Sequence, residues 1–338
     1  MKALYYPAFD QLEIRDVPQP QVAPDEVLIK VAACGLCGSE LETFKNHSPR
    51  SQPPLVMGHE FCGVATAVGA GGDESLIGKK FVSNSLIPCG RCVRCTRGDT
   101  HLCKDRQIFG MHRGGAFAEF VNVPARVLIP WPEALPAQAA SLAEPLANGV
   151  HIVNLTRHLP VKTALIIGAG PIGLMCQQAL QAMRSVNTMV CDLSNGRLEV
   201  ARKLGATKII CSKDQDVGAA ALAWTDGEGV DLVVDAAGSA GTKRMSLAAL
   251  RPGGAAVWIG LHGNTMEFDS YGVTLPEKQI FGTYAAKIEE LGEALQLMQS
   301  GKVDVTSWTE AVPLEQSVSA FHRMLAPSDR DLKAVFVP

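Results

Sequence analysis

The chain has 338 residues, with 31 Lys and Arg against 34 Asp and Glu, and a formal net charge of −3. That length exceeds what one apolar core usually supports, so two domains are expected, and the charge balance excludes a basic surface for nucleic acid or an anionic membrane. No apolar run reaches the roughly 18–20 residues that span a bilayer, and "MKALYYPAFD" lacks the basic start and long apolar stretch of a secretory signal, so a cytoplasmic protein acting on a small molecule is expected.

In chain order, residues 1–147 read as short β segments separated by Gly and Pro: "EVLIKVAAC", "FCGVATAVG", "KKFVSNSL", "AFAEFVNVP" and "RVLIP". A helix is predicted over "AASLAEPLANGVHIV", after which strands and helices alternate. The predicted strands are Ala164–Ile167, Thr188–Cys191, Lys208–Ile210, Leu232–Asp235, Ala256–Ile259 and Ile280–Thr283, with helices starting near Pro171, Ser194 and Thr242. Such alternation predicts a parallel, doubly wound sheet over 148–287. From Ile288 onward "IEELGEALQLMQSG" and "EQSVSAFHRML" have helical amphipathic patterns, and "KAVFVP" reads as a last strand returning to the first domain.

The stretch "ALIIGAGPIG" ends a predicted strand and opens a predicted helix, with G-x-G-x-x-G at Gly168, Gly170 and Gly173. Gly168 suits the tight turn, Gly170 lets backbone amides approach a pyrophosphate, and Gly173 allows close helix–strand packing. Pro171 and Ile172 occupy the first helical turn, where a missing N–H costs nothing and the helix N-terminus favours an anion. Nineteen residues beyond Gly173, Asp192 ends the second strand, where a carboxylate accepts from a ribose diol and repels a 2′-phosphate, favouring NAD over NADP. Arg197 is a candidate for the adenine, with a solvated helix face as the alternative.

Ten cysteines in a cytoplasmic chain suggest metal ligands and buried thiols more than a disulfide framework. Cys89, Cys92, Cys95 and Cys103 follow C-x2-C-x2-C-x7-C in a stretch too polar to bury itself. A closed tetrathiolate zinc site would hold it in a structural role, and Arg91, Arg94, Arg97, Lys104 and Arg106 would offset its negative charge. A redox dithiol or an iron–sulfur cluster is the alternative. Upstream, Cys37 in "GLCGSE", which reads as a turn, and His59 with Glu60 in "MGHEFCG" are candidates to share a second metal. Glu144 in "LAEPLANG" is a third candidate acid near the junction of the two halves. Mixed ligands with an exchangeable position have catalytic composition.

Taken in order, "GLCGSE", "GHEFCG", the four-cysteine stretch, "GGAFAEF", "AEPLA" and "GAGPIG" make nearly the whole chain resemble the zinc-dependent medium-chain alcohol dehydrogenases, especially the sorbitol, galactitol-phosphate and threonine dehydrogenase branch. The resemblance implies a GroES-like catalytic domain over 1–147 with a return over 288–338, interrupted by a Rossmann domain, and assembly as a homodimer or homotetramer. It also implies that Cys37 and His59 ligate a catalytic zinc, that Glu60 ligates it or lies beside it, and that Glu144 reaches it directly or through water. Ser39 takes the place of the hydroxyl that meets the substrate oxygen and starts a proton relay. Cys34 falls outside the matched ligand positions and is expected to be a buried thiol, as are Cys62, Cys176, Cys191 and Cys211.

Three anionic ligands together would leave the zinc a poor Lewis acid, so one glutamate is expected to exchange, and Glu144 is the candidate. Phe109, His112 and Tyr284 are the candidates for the substrate pocket that the resemblance implies. The glutamate-rich metal site favours a polyol or sugar over a simple alcohol, with an amino alcohol such as threonine as the closest rival. A metal-free reductase and a non-catalytic, zinc-stabilised nucleotide-binding protein are the readings from other classes.

Overall fold

Strand Glu26–Gly35 organises the first half of the chain because nearly all of it is apolar and buried, so it can pair on both edges and pack on both faces. In a computed structural model describing residues 1–49, 51–326, 328–329 and 331–338, this strand pairs antiparallel with Glu60–Val68, Phe120–Pro124 and the C-terminal Ala334–Val337. Among the described residues these belong to a seven-stranded sheet that also contains Lys80–Ser83, Leu128–Pro130 and Glu310–Pro313. The register sets Gly35 opposite Glu60 on one side and opposite Val335 on the other. Segments from three distant parts of the sequence thus meet at one end of the sheet. Fully buried Phe61, Phe109, Phe117 and Phe336 fill the core beside it, with Phe117 and Phe336 edge-on at 4.9 Å.

The second half is a six-stranded parallel sheet, in the order Lys208–Cys211, Asn187–Asp192, Thr163–Ile167, Val230–Asp235, Leu250–Trp258 and Gln279–Gly282. Its central strands carry Leu165, Ile166, Val233 and Val234, all fully buried, as expected for strands covered on both faces. Helices Pro171–Arg184 and Asn195–Lys203 follow the first two strands of the alternation. The chain divides into a unit of Met1–Ala147, Ala286–Gly301 and Val305–Pro338 and a unit of Asn148–Ala285 with Lys302–Asp304. Among the described residues no helix is long and apolar enough to cross a membrane.

Several predicted elements differ in detail. "KKFVSNSL" forms two strands, Lys80–Ser83 and Leu86–Ile87, because Asn84 bends the chain: its side-chain oxygen accepts from Leu86 N at 3.2 Å. The helix predicted over "AASLAEPLANGVHIV" is two pieces, Ala137–Ala140 and Ala143–Leu155, the second with Pro145 in its first turn, where proline is tolerated. The helix expected to begin near Thr242 begins at Ala240, since Ser239 caps it and accepts from Thr242 N at 3.1 Å. "GLCGSE" is not a simple turn. Cys37 is the N-cap of helix Gly38–Asn46.

Candidate active site

Cys37, His59 and Glu60 stand close enough that one ligand atom from each lies within 4.8 Å of the others. Their placement follows from the local fold. Cys37 sits at the mouth of helix Gly38–Asn46, where its amide donates to Glu40 Oε2 at 2.8 Å. The other oxygen of the buried Glu40, Oε1, lies 2.5 Å from His59 Nδ1. A carboxylate on one ring nitrogen orients the imidazole and leaves Nε2 for a metal, so Glu40 both caps the helix and aims a candidate ligand. Burial alone would lower the His59 pKa, but the Glu40 carboxylate outweighs it and, with Cys37, holds the imidazole well above its ordinary value. The anionic surroundings that favour this proton also favour a dication.

Glu60 begins the Glu60–Val68 strand, and its Oε2 lies 2.5 Å from Lys333 Nζ, both side chains being buried. The second oxygen, Oε1, is buried without a hydrogen-bond partner among the described residues. An orphaned carboxylate oxygen beside a thiol and an imidazole is a donor set that suits zinc. Gly35 leaves room for this pair, since a Cβ there would come 2.2 Å from Glu60 Oε2 and 3.2 Å from Lys333 Cε and displace the carboxylate. Lys333→Met is expected to leave Glu60 as an uncompensated buried charge, costing about 3–5 kcal/mol. A lowered denaturation midpoint, restored by Lys333→Arg, would check this.

Glu144 opens helix Ala143–Leu155 but is not among the three groups that cluster within 4.8 Å. Its Oε1 instead accepts from Ser85 Oγ at 2.5 Å. Burial pushes the Glu144 carboxyl up, and the neighbouring His59 pulls against it. Ser39 is half-buried, two residues into the structure that Cys37 caps. Glu40, Ser85 and Lys333 are site neighbours that do not stand out in the sequence. Only Glu40 carried a readable signal, the cap-x-x-Glu spacing from Cys37.

The pocket candidates separate. Phe109 is fully buried, edge-on to Phe61 at 5.2 Å and under the Arg113 guanidinium, so it is core and not a pocket wall. His112 is exposed, and its Nδ1 accepts from Ile108 N at 3.1 Å. Tyr284 belongs to the other unit.

Cys89, Cys92, Cys95 and Cys103 form the second cluster, with all four sulfurs within 4.8 Å. Cys92 Sγ lies 3.5 Å from Cys95 Sγ and 3.8 Å from Cys103 Sγ. Tetrahedral Zn–S bonds of about 2.3 Å imply S···S separations of about 3.8 Å, whereas a disulfide is about 2.05 Å long, so the spacing fits zinc. The Cys95 amide brings the Cys92 thiol down to about 6, towards the thiolate that ligates metal. An ion pair of Lys287 Nζ with Asp99 Oδ1 at 3.2 Å ties the lobe to helix Ile288–Gln299.

In the parallel sheet, Gly168 has φ 98°, in the region that favours glycine. A Cβ on Gly170 would meet nothing within 4 Å, while one on Gly173 would fall 1.8 Å from the Gly168 carbonyl oxygen. Open space at the second glycine and close packing at the third leave the N-terminus of helix Pro171–Arg184, with half-buried Pro171 and Ile172, approachable by a pyrophosphate. Asp192 Oδ2 accepts from Ala169 N at 2.7 Å and Oδ1 from Ser194 N at 2.9 Å. An ionised carboxylate has about four acceptor positions, so two remain for a ribose diol. Arg197 lies in the first turn of helix Asn195–Lys203, its amide donating to Ser194 Oγ at 3.2 Å.

Residues 23–133 match the family model of the alcohol dehydrogenase GroES-like domain, and residues 171–300 that of the zinc-binding dehydrogenases. Sorbitol dehydrogenase of Bacillus subtilis is 32% identical over 344 residues, covering 100% of this chain and 97% of that protein. L-threonine 3-dehydrogenase of Pyrococcus horikoshii is 33% identical over 299 residues, covering 87% and 85%. The solved structure of the Escherichia coli CFT073 alcohol dehydrogenase rspB, complexed with NADH, superposes with a TM-score of 0.93 at 27% identity, covering 100% of this chain and 99% of that one. The chain belongs to the zinc-binding alcohol dehydrogenase family. Its architecture is the GroES-like domain joined to a Rossmann sheet, and it is a dehydrogenase of that family.

Proposed function

We propose that the protein oxidises a secondary hydroxyl of a polyol or sugar, reversibly, with hydride transfer from the carbinol carbon to NAD. Cys37, His59 and Glu60 hold the catalytic zinc in this reading, Glu144 is a neighbouring carboxylate that stands off the resting metal and can exchange onto it, and the four-cysteine lobe holds a structural zinc. The observation that carries it is the convergence of Cys37, His59 and Glu60 within 4.8 Å around an orphaned carboxylate oxygen. When bound, the zinc supplies Lewis acidity that lowers the pKa of a substrate hydroxyl. Glu40 keeps His59 aimed, Lys333 balances Glu60, and the Ser39 hydroxyl hands the substrate proton outward. Gly168, Gly170 and Gly173 with helix Pro171–Arg184 receive the pyrophosphate, Asp192 the ribose, and Arg197 the adenine.

The polyol reading is supported by the sorbitol dehydrogenase relative and by the carboxylates of Glu60 and Glu144, which suit a substrate bearing several hydroxyls. The 33% identity to a threonine dehydrogenase supports an amino alcohol as the second reading. A panel of polyols, sugars and amino alcohols followed by NADH absorbance decides between them. Turnover of polyols is expected, and turnover of threonine alone would overturn the first reading.

A homo-oligomer is part of the proposal. Strand Gln279–Gly282 ends the parallel sheet, and Leu275 (79% exposed) and Tyr271 (73%) stand near it in sequence, which supports pairing with a second copy. Light scattering is expected to give a dimer or tetramer, and a monomer at working concentration would refute this. Thiolate-rich metal sites of this kind suit a reducing compartment, the cytoplasm.

A further inference from the structure

The hydroxyl of Ser85 has no part in the reaction as proposed, yet it is held with unusual firmness. Ser85 lies in the two-residue break between strands Lys80–Ser83 and Leu86–Ile87 and is only 3% exposed. On one side, Asn84 N donates to Val127 O at 3.0 Å while the Asn84 side chain accepts from Leu86 N. On the other, the Ser85 carbonyl accepts from Phe109 N at 3.3 Å, and Phe109 is itself fully buried. The backbone is therefore pinned before, at and after the residue, and the side chain starts from a fixed point. From there Oγ donates to Glu144 Oε1 at 2.5 Å, the short end of the range for a hydroxyl on an ionised carboxylate.

That bond has a consequence for the metal site. Glu144 is close enough to His59 and Glu60 to feel the charge of both, yet its carboxylate does not join the Cys37–His59–Glu60 group. Two carboxylates and a thiolate on one zinc would use up its charge and its open position together. A donor that engages Glu144 from the strand side prevents this without removing the acid from the site.

We propose that Ser85 is a positioning residue that latches Glu144 away from the Cys37–His59–Glu60 cluster, so that the side chain at position 85 sets whether this carboxylate ligates the resting metal. The inference rests on the metal reading given above. With the hydroxyl in place, a metal held by Cys37, His59 and Glu60 would keep a position for an exchangeable ligand; with the hydroxyl removed, Glu144 would be able to compete for that position.

Cobalt(II) loaded in place of zinc reports the ligand set through its visible absorption, and imidazole serves as a probe of the open position. Ser85→Ala is expected to shift the resting cobalt band and to weaken imidazole binding by about tenfold or more. Ser85→Thr, which keeps the hydroxyl, is expected to retain the parent band and affinity. Adding Glu144→Gln to Ser85→Ala is expected to return imidazole affinity towards the parent. Should Ser85→Ala fold poorly, Glu144→Gln alone still decides, because a carboxylate held off the resting metal can be neutralised without moving the resting band.

A parent-like band and affinity in folded Ser85→Ala, or a shifted resting band in Glu144→Gln alone, would overturn the latch and leave the metal reading intact. If Cys37→Ser takes up as much cobalt as the parent, with the same spectrum, the metal reading fails and the latch falls with it.

Discussion

Replacing Cys37 by serine is expected to lower kcat/KM by about a thousandfold or more while leaving the dissociation constant for NAD within about twofold of the parent. The reason lies in the donor set. Zinc holds a thiolate far better than a neutral hydroxyl, and Cys37 is the only sulfur in the Cys37–His59–Glu60 group. Loss of the dication removes several kcal/mol of charge stabilisation from the substrate oxygen. In the proposed site the dinucleotide is received by backbone groups around Gly168–Gly173, which belong to a different unit from Cys37. Steady-state kinetics paired with NADH fluorescence titration measures both quantities. Equal losses of turnover and NAD affinity would mean that the substitution damaged the fold.

The second large effect is the converse. Gly173→Ala is expected to weaken NAD binding by about a hundredfold or more while zinc content stays at the parent value. A Cβ at this position would lie 1.8 Å from the Gly168 carbonyl oxygen, and that neighbour is backbone, so the turn itself must move. Overpacking of this kind costs roughly 1–3 kcal/mol and sometimes more. Because the displaced carbonyl belongs to the first glycine of the motif, the strain would fall where amides converge in the proposed pyrophosphate site. Fluorescence titration with NADH checks the affinity, and metal analysis of the same sample checks the first unit. An alanine variant with parental NAD affinity would remove Gly173 from the cofactor site. Together the two variants should separate metal chemistry from cofactor binding.

Legibility in the sequence followed the range of the interactions involved. The parallel strands were readable because burial on both faces demands continuous apolar runs, as in "ALII" and "DLVVD". The glycine motif was readable because its three positions act within one turn of chain. The four-cysteine lobe was readable because the ligands are close in sequence and the segment has little else to hold it.

Elements shaped by a single polar side chain were harder. Asn84 broke a strand and Ser239 moved a helix start, both through local hydrogen bonds that compete with the regular ladder. Helix Gly38–Asn46 was hidden by two glycines near its start, although Cys37 and Glu40 have capping spacing. Individual side-chain pairs between distant segments were not legible. Ser85 and Glu144 are 59 residues apart, and Lys333 reaches Glu60 only because the C-terminal strand pairs beside Gly35. Phe109 illustrates the reverse error. The resemblance made it a pocket candidate, yet full burial and packing against Phe61 assign it to the core.

The proposed activity requires a metal held by Cys37, His59 and Glu60, and zinc counted per chain in purified parent and Cys37→Ser protein tests that most directly. Two zincs in the parent and one in the variant, with the four-cysteine lobe retaining its own, is the predicted result. One zinc in both proteins, unchanged after zinc is supplied, would contradict it.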